Sequence, residues 1–266
     1  MKIFKNKRKL QKAILKQKNL SFVPTMGGLH KGHISLIKKS KNTNDKTIVS
    51  IFVNPKQFNS RKDYQNYPRN LNKDLSILRN LKVDYVFIPN KRDIFSFKTK
   101  NNVYLDKFSK KLCGSFRKGH FRGVLNIVNR FLEIISPKKI FLGMKDYQQL
   151  YLINKHISKR KIKTLVIGCE TIRERNGMAC STRNKLLSKE QIKTGSRIYN
   201  FLNKLKKKSY INIKKTKDEI LDIGAKKIEY LEMYNLKTHK KTTHKNKNSK
   251  IFIAYYLNNI RLIDNF

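Results

Sequence analysis

Short apolar runs alternate with amphipathic segments over most of the chain. Leu20–Val23 and Thr47–Val53 are apolar and are closed by Pro24 and by Asn54-Pro55, which predicts buried strands. In segments such as Asn70–Asn80 the apolar residues instead recur at the spacing of one helix face. The same rules predict helices at Lys7–Lys18, His30–Lys41, Gly123–Ile135 and Asp146–Lys159, and strands at Val83–Ile88, Lys139–Leu142 and Ile162–Ile167.

This alternation predicts the fold class. Strands separated by helices of such length are joined by right-handed crossovers, which places the strands parallel and the helices on both faces of the sheet. We therefore expect an α/β fold with a Rossmann-like doubly wound parallel sheet. Ligands of such sheets bind beyond the carboxyl ends of the strands, where the loops after Val23, Val53, Leu142 and Ile167 would meet.

The pattern changes after Asn184. Two long helical segments, Ser188–Lys208 and Lys217–Lys227, precede apolar strands at Ile228–Tyr234 and Lys250–Leu257. The run of Lys, Thr, His and Asn over residues 237–250 has no apolar periodicity and predicts a solvated connection between these strands. We expect two domains, 1–183 and a smaller C-terminal α+β domain, 184–266.

The net charge of the chain raises the question of a nucleic-acid partner. There are 62 Lys and Arg residues against 17 Asp and Glu, giving +45, and the isoelectric point is near 10.3. Only 14 of the basic residues are Arg, the residue that recognises bases and phosphates in bidentate fashion, and Lys is spread along the chain and not gathered in one stripe. A drift in composition explains the charge better than a binding face does, although a nucleic-acid-binding protein stays open as an alternative.

Several features favour a cytoplasmic protein without a membrane anchor. Residues 1–20 lack the apolar core of a secretory signal, and no stretch has the roughly 18 apolar residues of a membrane span. The three cysteines, Cys113, Cys169 and Cys180, are odd in number and have no CxxC spacing, which argues against a disulfide framework or a zinc site.

The densest candidate chemistry lies in the ten residues from Pro24 to His33. A strand leads through Gly27 and Gly28 into a predicted helix that begins with two histidines three residues apart. Residues at that spacing share a helix face, and the free N–H groups and positive dipole of a helix N-terminus favour phosphate. The simpler interpretation is that a histidine only caps the helix.

The sequence His30-Lys31-Gly32-His33 resembles the signature of the HIGH-motif nucleotidyltransferases, which transfer an adenylyl group from ATP. Further segments in the same order and spacing are similar to those of one family within that group, the pantothenate synthetases or pantoate–β-alanine ligases. The segments that carry this resemblance are Phe22–Gly27, Val49–Phe58, Tyr67–Arg69, Gly119–Val124, Phe141–Leu150, Arg173–Asn184 and Arg261–Asn265.

The resemblance implies a reaction in two steps. The carboxylate of pantoate attacks the α-phosphorus of ATP, giving pantoyl adenylate and pyrophosphate; the amine of β-alanine then attacks the acyl carbon and releases AMP. It also implies that residues 1–183 form the catalytic domain for ATP and pantoate, that 184–266 form a lid, that Mg²⁺ accompanies ATP, and that the chain forms a homodimer. No specific nucleic acid and no membrane are expected as partners.

The resemblance also assigns roles to individual residues. The proton donor is His33, and His30, Lys145 and Arg183 assist it. Pantoate is held by Gln57 and Gln149, with Gln57 also beside β-alanine. Met26 lines the pantoate pocket and also belongs to the ATP site, whose residues are Met26, Gly27, Gly28, Leu29, His30, Lys31, Gly32, His33, Gly143, Met144, Lys145, Asp146, Ile172, Cys180, Ser181, Thr182 and Arg183.

The chain departs from the family pattern at three places. Met144 replaces a glutamate, and Cys180 and Thr182 stand where the family has Leu and Ser. Among the acids that follow Tyr-Pro-Arg only Asp74 is kept, so Asp74 is the one expected magnesium ligand and the metal depends more on the phosphates of ATP. For Asp146, a contact to ribose and a helix cap are both open. Another HIGH-motif adenylyltransferase and a degenerate enzyme are the remaining alternatives.

Overall fold

A computed structural model of the chain describes residues 1–58 and 61–266, which divide into two compact units. The first unit comprises Met1–Ser109 and Arg117–Glu170, and the second comprises Lys110–Phe116 and Thr171–Phe266. The division thus falls after residue 170, where the sequence had placed it after residue 183. A contact distant in sequence contributes to this difference: Arg173 forms an ion pair with Asp264 near the C-terminus of the chain, at 2.7 Å between Nη1 and Oδ2.

The helices and strands follow the predicted order with several additions. In chain order they are β1 (Lys2–Phe4), α1 (Lys7–Ile14), β2 (Leu20–Thr25), α2 (Lys31–Lys41), β3 (Lys46–Ile51), α3 (Arg61–Gln65), α4 (Leu71–Asn80), β4 (Tyr85–Phe87), α5 (Lys91–Phe95), α6 (Cys113–Phe116), α7 (His120–Ile135), β5 (Lys139–Gly143), α8 (Tyr147–Lys159), β6 (Leu165–Cys169), α9 (Lys189–Leu205), α10 (Ile213–Ile223), β7 (Lys227–Asn235), β8 (Ser249–Leu257) and β9 (Ile260–Asn265). None of the helices in the described part of the chain has both the length and the apolar character needed to cross a membrane.

The first unit is built on a parallel sheet in the order β1-β4-β3-β2-β5-β6, which confirms the predicted fold class. The chain runs from β2 through β3 to β4 on one side and continues with β5 and β6 on the other. The strand order therefore reverses between β2 and β5. In open α/β sheets this reversal point is where ligands bind.

Pairing between β2 and β5 stops early. Only Ser21↔Lys139 and Phe22↔Ile140 are paired, whereas β2 stays paired with β3 as far as Thr25↔Ile51. The O of Leu20 accepts a hydrogen bond from the N of Lys138, so the even-numbered residues of β2 direct their peptide groups toward β5. Pro24 is on that side and has no N–H to donate. Pro24 was expected to end the strand, but it ends only the pairing with β5, while the pairing with β3 continues.

Apolar residues cover both faces of this sheet. Val23, Val49 and Val86 belong to one core together with residues of α2 and α4. Phe22 and Phe87 face the opposite side, where their rings lie 5.4 and 6.1 Å from the ring of Phe131 on α7. Because successive strand residues point to opposite faces, α2 and α4 lie on one side of the sheet and α7 on the other.

A buried histidine fastens the irregular segment before α6 to helix α8. The Nδ1 of His156 accepts the N–H of Tyr104 at 3.2 Å, so the proton of the neutral ring is on Nε2, which lies 3.0 Å from the Oδ1 of Asn129. The Nδ2 of Asn129 donates in turn to the O of Asn101 at 2.8 Å. Burial lowers the pKa of His156 to about 4 from 6.5.

The stability of the first unit should therefore fall as the pH falls. Because the folded pKa of His156 lies below the unfolded value, the unfolded chain binds the extra proton between pH 6.5 and 4. The stabilising contribution is present above pH 6.5, and about 2 kcal/mol of it is lost between pH 7 and pH 5. We expect the difference in unfolding free energy between the wild type and His156→Leu to shrink by that amount in urea titrations at the two pH values. A constant difference would contradict this.

The second unit has an antiparallel sheet, β7-β8-β9, that packs against α9 and α10. Strand β9 was not predicted, and α10 begins and ends four residues earlier than expected, at Ile213 and Ile223 instead of Lys217 and Lys227. Its ends are fixed by Asn212, whose side chain accepts the N–H of Lys215, and by Gly224 in the left-handed conformation, φ +118°.

Candidate active site

The loop after β2 contains two successive residues in the left-handed conformation. Gly27 and Gly28 have φ of +75° and +63°, which glycine adopts without a side-chain clash. The hydroxyl of Thr25 accepts the N–H of Gly27 at 3.2 Å and donates to the O of Ser50 at 2.7 Å. These contacts tie the start of the loop to β3.

A carboxylate from α4 holds the middle of the same loop. Asp74 is 3 % exposed, and its two oxygens each accept one backbone N–H, from Gly28 and from Leu29, both at 2.8 Å. The fit is tight, because a Cβ on Gly27 would lie 2.9 Å from Oδ2 of Asp74. Asp74 thus has a contact that the sequence did not suggest, and its role as a magnesium ligand stays a prediction.

The two predicted histidines lie together at the start of α2. His30 is the N-cap residue, and its Nδ1 accepts the N–H of Gly32 at 3.1 Å. The ring of His33 lies 4.1 Å from that of His30 between centroids, so the two form one group. The simpler interpretation is therefore correct for His30 as far as capping goes. Capping does not exclude phosphate binding, because it leaves the proton of the neutral His30 ring on Nε2.

Other expected ATP-binding residues lie beyond the end of β5. Gly143 ends this strand, and Met144–Asp146 form a 3-10 turn before α8. Asp146 is the N-cap residue of α8 yet makes no side-chain cap, so its carboxylate is not used there. The side chain of Met144 packs beside β6, since a Cβ on Gly168 would lie 3.6 Å from its Cγ.

The two adjacent glutamines at the start of α8 have different surroundings. Gln148 is buried, and its Nε2 donates to the O of Phe108 at 2.7 Å. Gln149, the expected pantoate ligand, is half-buried. Gln57 ends the 3-10 turn Pro55–Gln57 that follows β3. Since β3, β2 and β5 are neighbours in a parallel sheet, the loops with Gln57, the two histidines and Lys145 all leave its carboxyl edge.

In the second unit, the remaining predicted residues belong to one hairpin. The N–H of Cys180 donates to the O of Ile172 at 2.9 Å, and Arg173 pairs with Ala179. This brings Ile172, one of the expected ATP-binding residues, next to the segment Cys180–Arg183. A 3-10 turn follows at Thr182–Leu186, capped by the hydroxyl of Ser181, which accepts the N–H of Arg183 at 3.2 Å.

Arg173 fixes this hairpin and was not singled out by the sequence. Its guanidinium donates to both carboxylate oxygens of Asp264, at 2.7 and 3.0 Å, and lies over the rings of Tyr199 and Phe266. The two ends of the pair are 91 residues apart, so no local pattern could have revealed it.

Two ionisable groups near the sheet edge are neutral at pH 7. Burial raises the pKa of Tyr147, the first residue of α8, and burial likewise raises the pKa of the Cys169 thiol at the end of β6. Burial thus disfavours the phenolate of Tyr147 and the thiolate of Cys169, which are the reactive forms of these groups.

Comparisons with known proteins identify the family of this chain. The model of the pantoate-beta-alanine ligase family matches residues 2–266. A pantothenate synthetase of Francisella tularensis subsp. novicida is 40% identical over 260 residues, covering 97% of this chain and 92% of the relative.

Solved structures extend the similarity to the fold. The pantoate-beta-alanine ligase from Francisella tularensis, complexed with beta-gamma ATP and beta-alanine, has a TM-score of 0.87 and 39% identity, covering 100% of this chain and 97% of that one. A pantothenate synthetase from Thermus thermophilus has a TM-score of 0.92 and 31% identity, with 100% and 99% covered. The chain belongs to the pantoate-β-alanine ligase family, which condenses pantoate with β-alanine at the expense of ATP.

Proposed function

We propose that this chain forms pantoyl adenylate, and then pantothenate, at the carboxyl edge of its parallel sheet. The observation that carries the proposal is the early end of the pairing between β2 and β5. The histidine loop and the loop with Lys145 leave the sheet on the two sides of this point, where the strand order reverses. Two imidazoles and an ammonium group at such an edge suit the phosphates of a nucleotide.

In the first step the pantoate carboxylate attacks the α-phosphorus of ATP, and pyrophosphate leaves. This displacement needs little covalent chemistry from the protein, so positioning and stabilisation of the developing charge dominate. We assign to His33 the donation of a proton or a hydrogen bond to the phosphoryl oxygens. His30 lies beside it. Lys145 supplies a positive charge to the triphosphate.

Pantoate is oriented by two amides in this proposal, those of Gln57 and Gln149. An amide both donates and accepts, so it can bind hydroxyls and one carboxylate oxygen. Unlike arginine, it leaves the carboxylate without a full ion pair, and the nucleophile keeps its reactivity. The thioether of Met26, half-buried before the two glycines, provides an apolar wall for the methyl groups of pantoate.

In the second step the amine of β-alanine attacks the acyl carbon of pantoyl adenylate, and AMP leaves. We assign the binding of pyrophosphate, which leaves in the first step, to Ser181, Thr182 and Arg183. A fixed guanidinium and two hydroxyls suit that anion. Adenine would lie against the backbone of Ile172, which the hairpin ties to this segment.

Magnesium binding rests mainly on the phosphates of ATP in this proposal. No group of three or more His, Cys, Asp or Glu residues among them could hold a metal ion. Both oxygens of Asp74 already accept N–H groups, and the carboxyl group is buried. We propose that Mg²⁺ enters bound to the phosphates of ATP, as ATP-dependent ligases commonly require, and assign no reaction step to it.

Two further expectations belong to this proposal. The resemblance to the family supports a homodimer, and sedimentation of the purified protein would decide it. A cytoplasmic location is the second expectation, made on the same family resemblance, and cell fractionation would decide it.

The two half-reactions can be tested separately. With ATP, Mg²⁺ and pantoate alone, we expect exchange of labelled pyrophosphate into ATP, because the first step is reversible without the amine. Addition of β-alanine should release AMP in an amount equal to the pantothenate formed. Binding of all three substrates without exchange or AMP release would overturn the proposal and favour a degenerate enzyme.

A Gln57→Ala variant should raise the KM for pantoate about tenfold, because one amide that binds its polar groups is lost. The KM for ATP should change less than twofold. Gln148→Ala is the matched control, since the side-chain amide of Gln148 donates a hydrogen bond to the backbone O of Phe108 and is not assigned to substrate. Full pantoate affinity in Gln57→Ala would favour a different HIGH-motif adenylyltransferase.

A further inference from the structure

The segment Gly119–Gly123 contains another histidine next to a glycine, His120, which the proposed reaction does not use. His120 is the first residue of α7, and Gly119 before it has φ +76°. His120 is half-buried, and its contacts lead toward Gln57 on the loop after β3.

Three hydrogen bonds join His120, Arg117 and the backbone of Gln57. The carbonyl oxygen of Gln57 lies 2.8 Å from Nδ1 of His120 and accepts a hydrogen bond from Nη2 of Arg117 at 2.9 Å. The Nη1 of Arg117 lies 3.2 Å from Nε2 of His120. The three groups therefore close a triangle.

The chemistry of the partners fixes the state of the ring. A carbonyl can only accept, so Nδ1 of His120 carries a proton; a guanidinium can only donate, so Nε2 must accept. His120 is thus neutral, with its proton on Nδ1. Both donors converge on one backbone oxygen, and neither of these bonds involves the side-chain amide of Gln57.

We infer that Arg117 and His120 are positioning residues for Gln57. Holding its carbonyl from two directions fixes the peptide plane of Gln57 and with it the direction in which the side chain leaves the backbone. A second contact acts on the same loop, because Nδ2 of the buried Asn54 donates to the O of Gly123 at 3.2 Å. The inference rests on the proposed role of Gln57 in binding pantoate.

The test combines single variants with a double-mutant cycle. Arg117→Met and His120→Ala should each raise the KM for pantoate about tenfold, the effect of a misplaced hydrogen-bonding group, with less than a twofold change in the KM for ATP. His120→Asn should restore a KM within about twofold of the wild type, because an Asn amide nitrogen can replace Nδ1 as donor. Arg122→Met, an exposed arginine on the same helix, is the matched control and should leave both constants unchanged.

The cycle separates this inference from the proposed function. In a Gln57→Ala background, Arg117→Met should add less than a twofold effect, since the amide that it positions is gone. If Gln57→Ala itself leaves pantoate binding intact, the proposed function fails. If Gln57→Ala weakens binding while the Arg117 and His120 variants do not, or if the effects multiply in full, the positioning role is overturned. Should His120→Ala fail to fold, the Arg117 arm of the cycle decides.

Discussion

Replacing His33 with alanine is expected to lower the rate of pantoyl-adenylate formation about a hundredfold or more. This is the range expected for the loss of a positioned proton donor or of a group that stabilises charge on the transferring phosphoryl group. The ring of His30 lies 4.1 Å away between centroids, and its Nδ1 accepts the N–H of Gly32 at the helix start. This contact holds His30 in its own position, so we expect it to keep its own contact to the phosphates and not to replace His33. Pantoate-dependent exchange of pyrophosphate into ATP measures this step directly.

A control variant and a second variant test this prediction further. His244→Ala removes an exposed histidine of the second unit and should leave the exchange rate unchanged. His30→Ala should lower the exchange rate and also reduce stability by about 1 kcal/mol, because it removes an N-cap. An exchange rate in His33→Ala close to that of the wild type would remove His33 from the mechanism.

The sequence predicts the parts of the fold that local patterns encode. Apolar periodicity and proline positions were sufficient for the alternating strands and helices around β2, β3 and β5, and so for a sheet with a functional carboxyl edge. The end of α10 also had a local signal, because Gly224 is a residue that commonly ends helices. The prediction used apolar periodicity alone and therefore placed the end too late. Strand β9 had a local signal in the turn that precedes it. Asn258, with φ +51°, lies in the two-residue turn between Leu257 and Ile260, and asparagine is favoured in such turns.

What the sequence could not predict are contacts between distant segments. Gly28 and Asp74 are 46 residues apart, and Gln57 and Arg117 are 60 apart. Each contact joins a side chain to the backbone of a loop, and backbone groups are the same in every sequence. The family resemblance therefore indicates which loops matter, while only the structure indicates what holds them in place.

An Asp74→Ala variant is expected to lower kcat/KM for ATP about a hundredfold while changing the KM for pantoate much less. Removal of the carboxylate leaves the buried N–H groups of Gly28 and Leu29 without their acceptor. Each such loss costs about 1.5–3 kcal/mol when the partner is charged. The left-handed turn before His30 and His33 would then shift, and a displacement of about 1 Å at a reacting centre can cost a hundredfold in rate. Asp74→Asn, which keeps one acceptor oxygen, should have an intermediate effect.

Two measurements distinguish a loop anchor from a magnesium ligand at this position. If Asp74 anchors the loop, the Mg²⁺ concentration for half-maximal activity stays within about twofold of the wild type and excess Mg²⁺ does not restore the rate; a ligand would give the opposite result. Asp45→Ala is the matched control, because Asp45 is also a buried carboxylate of the first unit, bonded to Ser21, Thr43 and Lys139. It lies beside Lys46 and Lys139, at the amino ends of β3 and β5, so its loss should reduce stability without changing kcat/KM for ATP. Equal effects of the two variants on ATP kinetics would mean that lost stability, and not the position of the histidine loop, accounts for the defect.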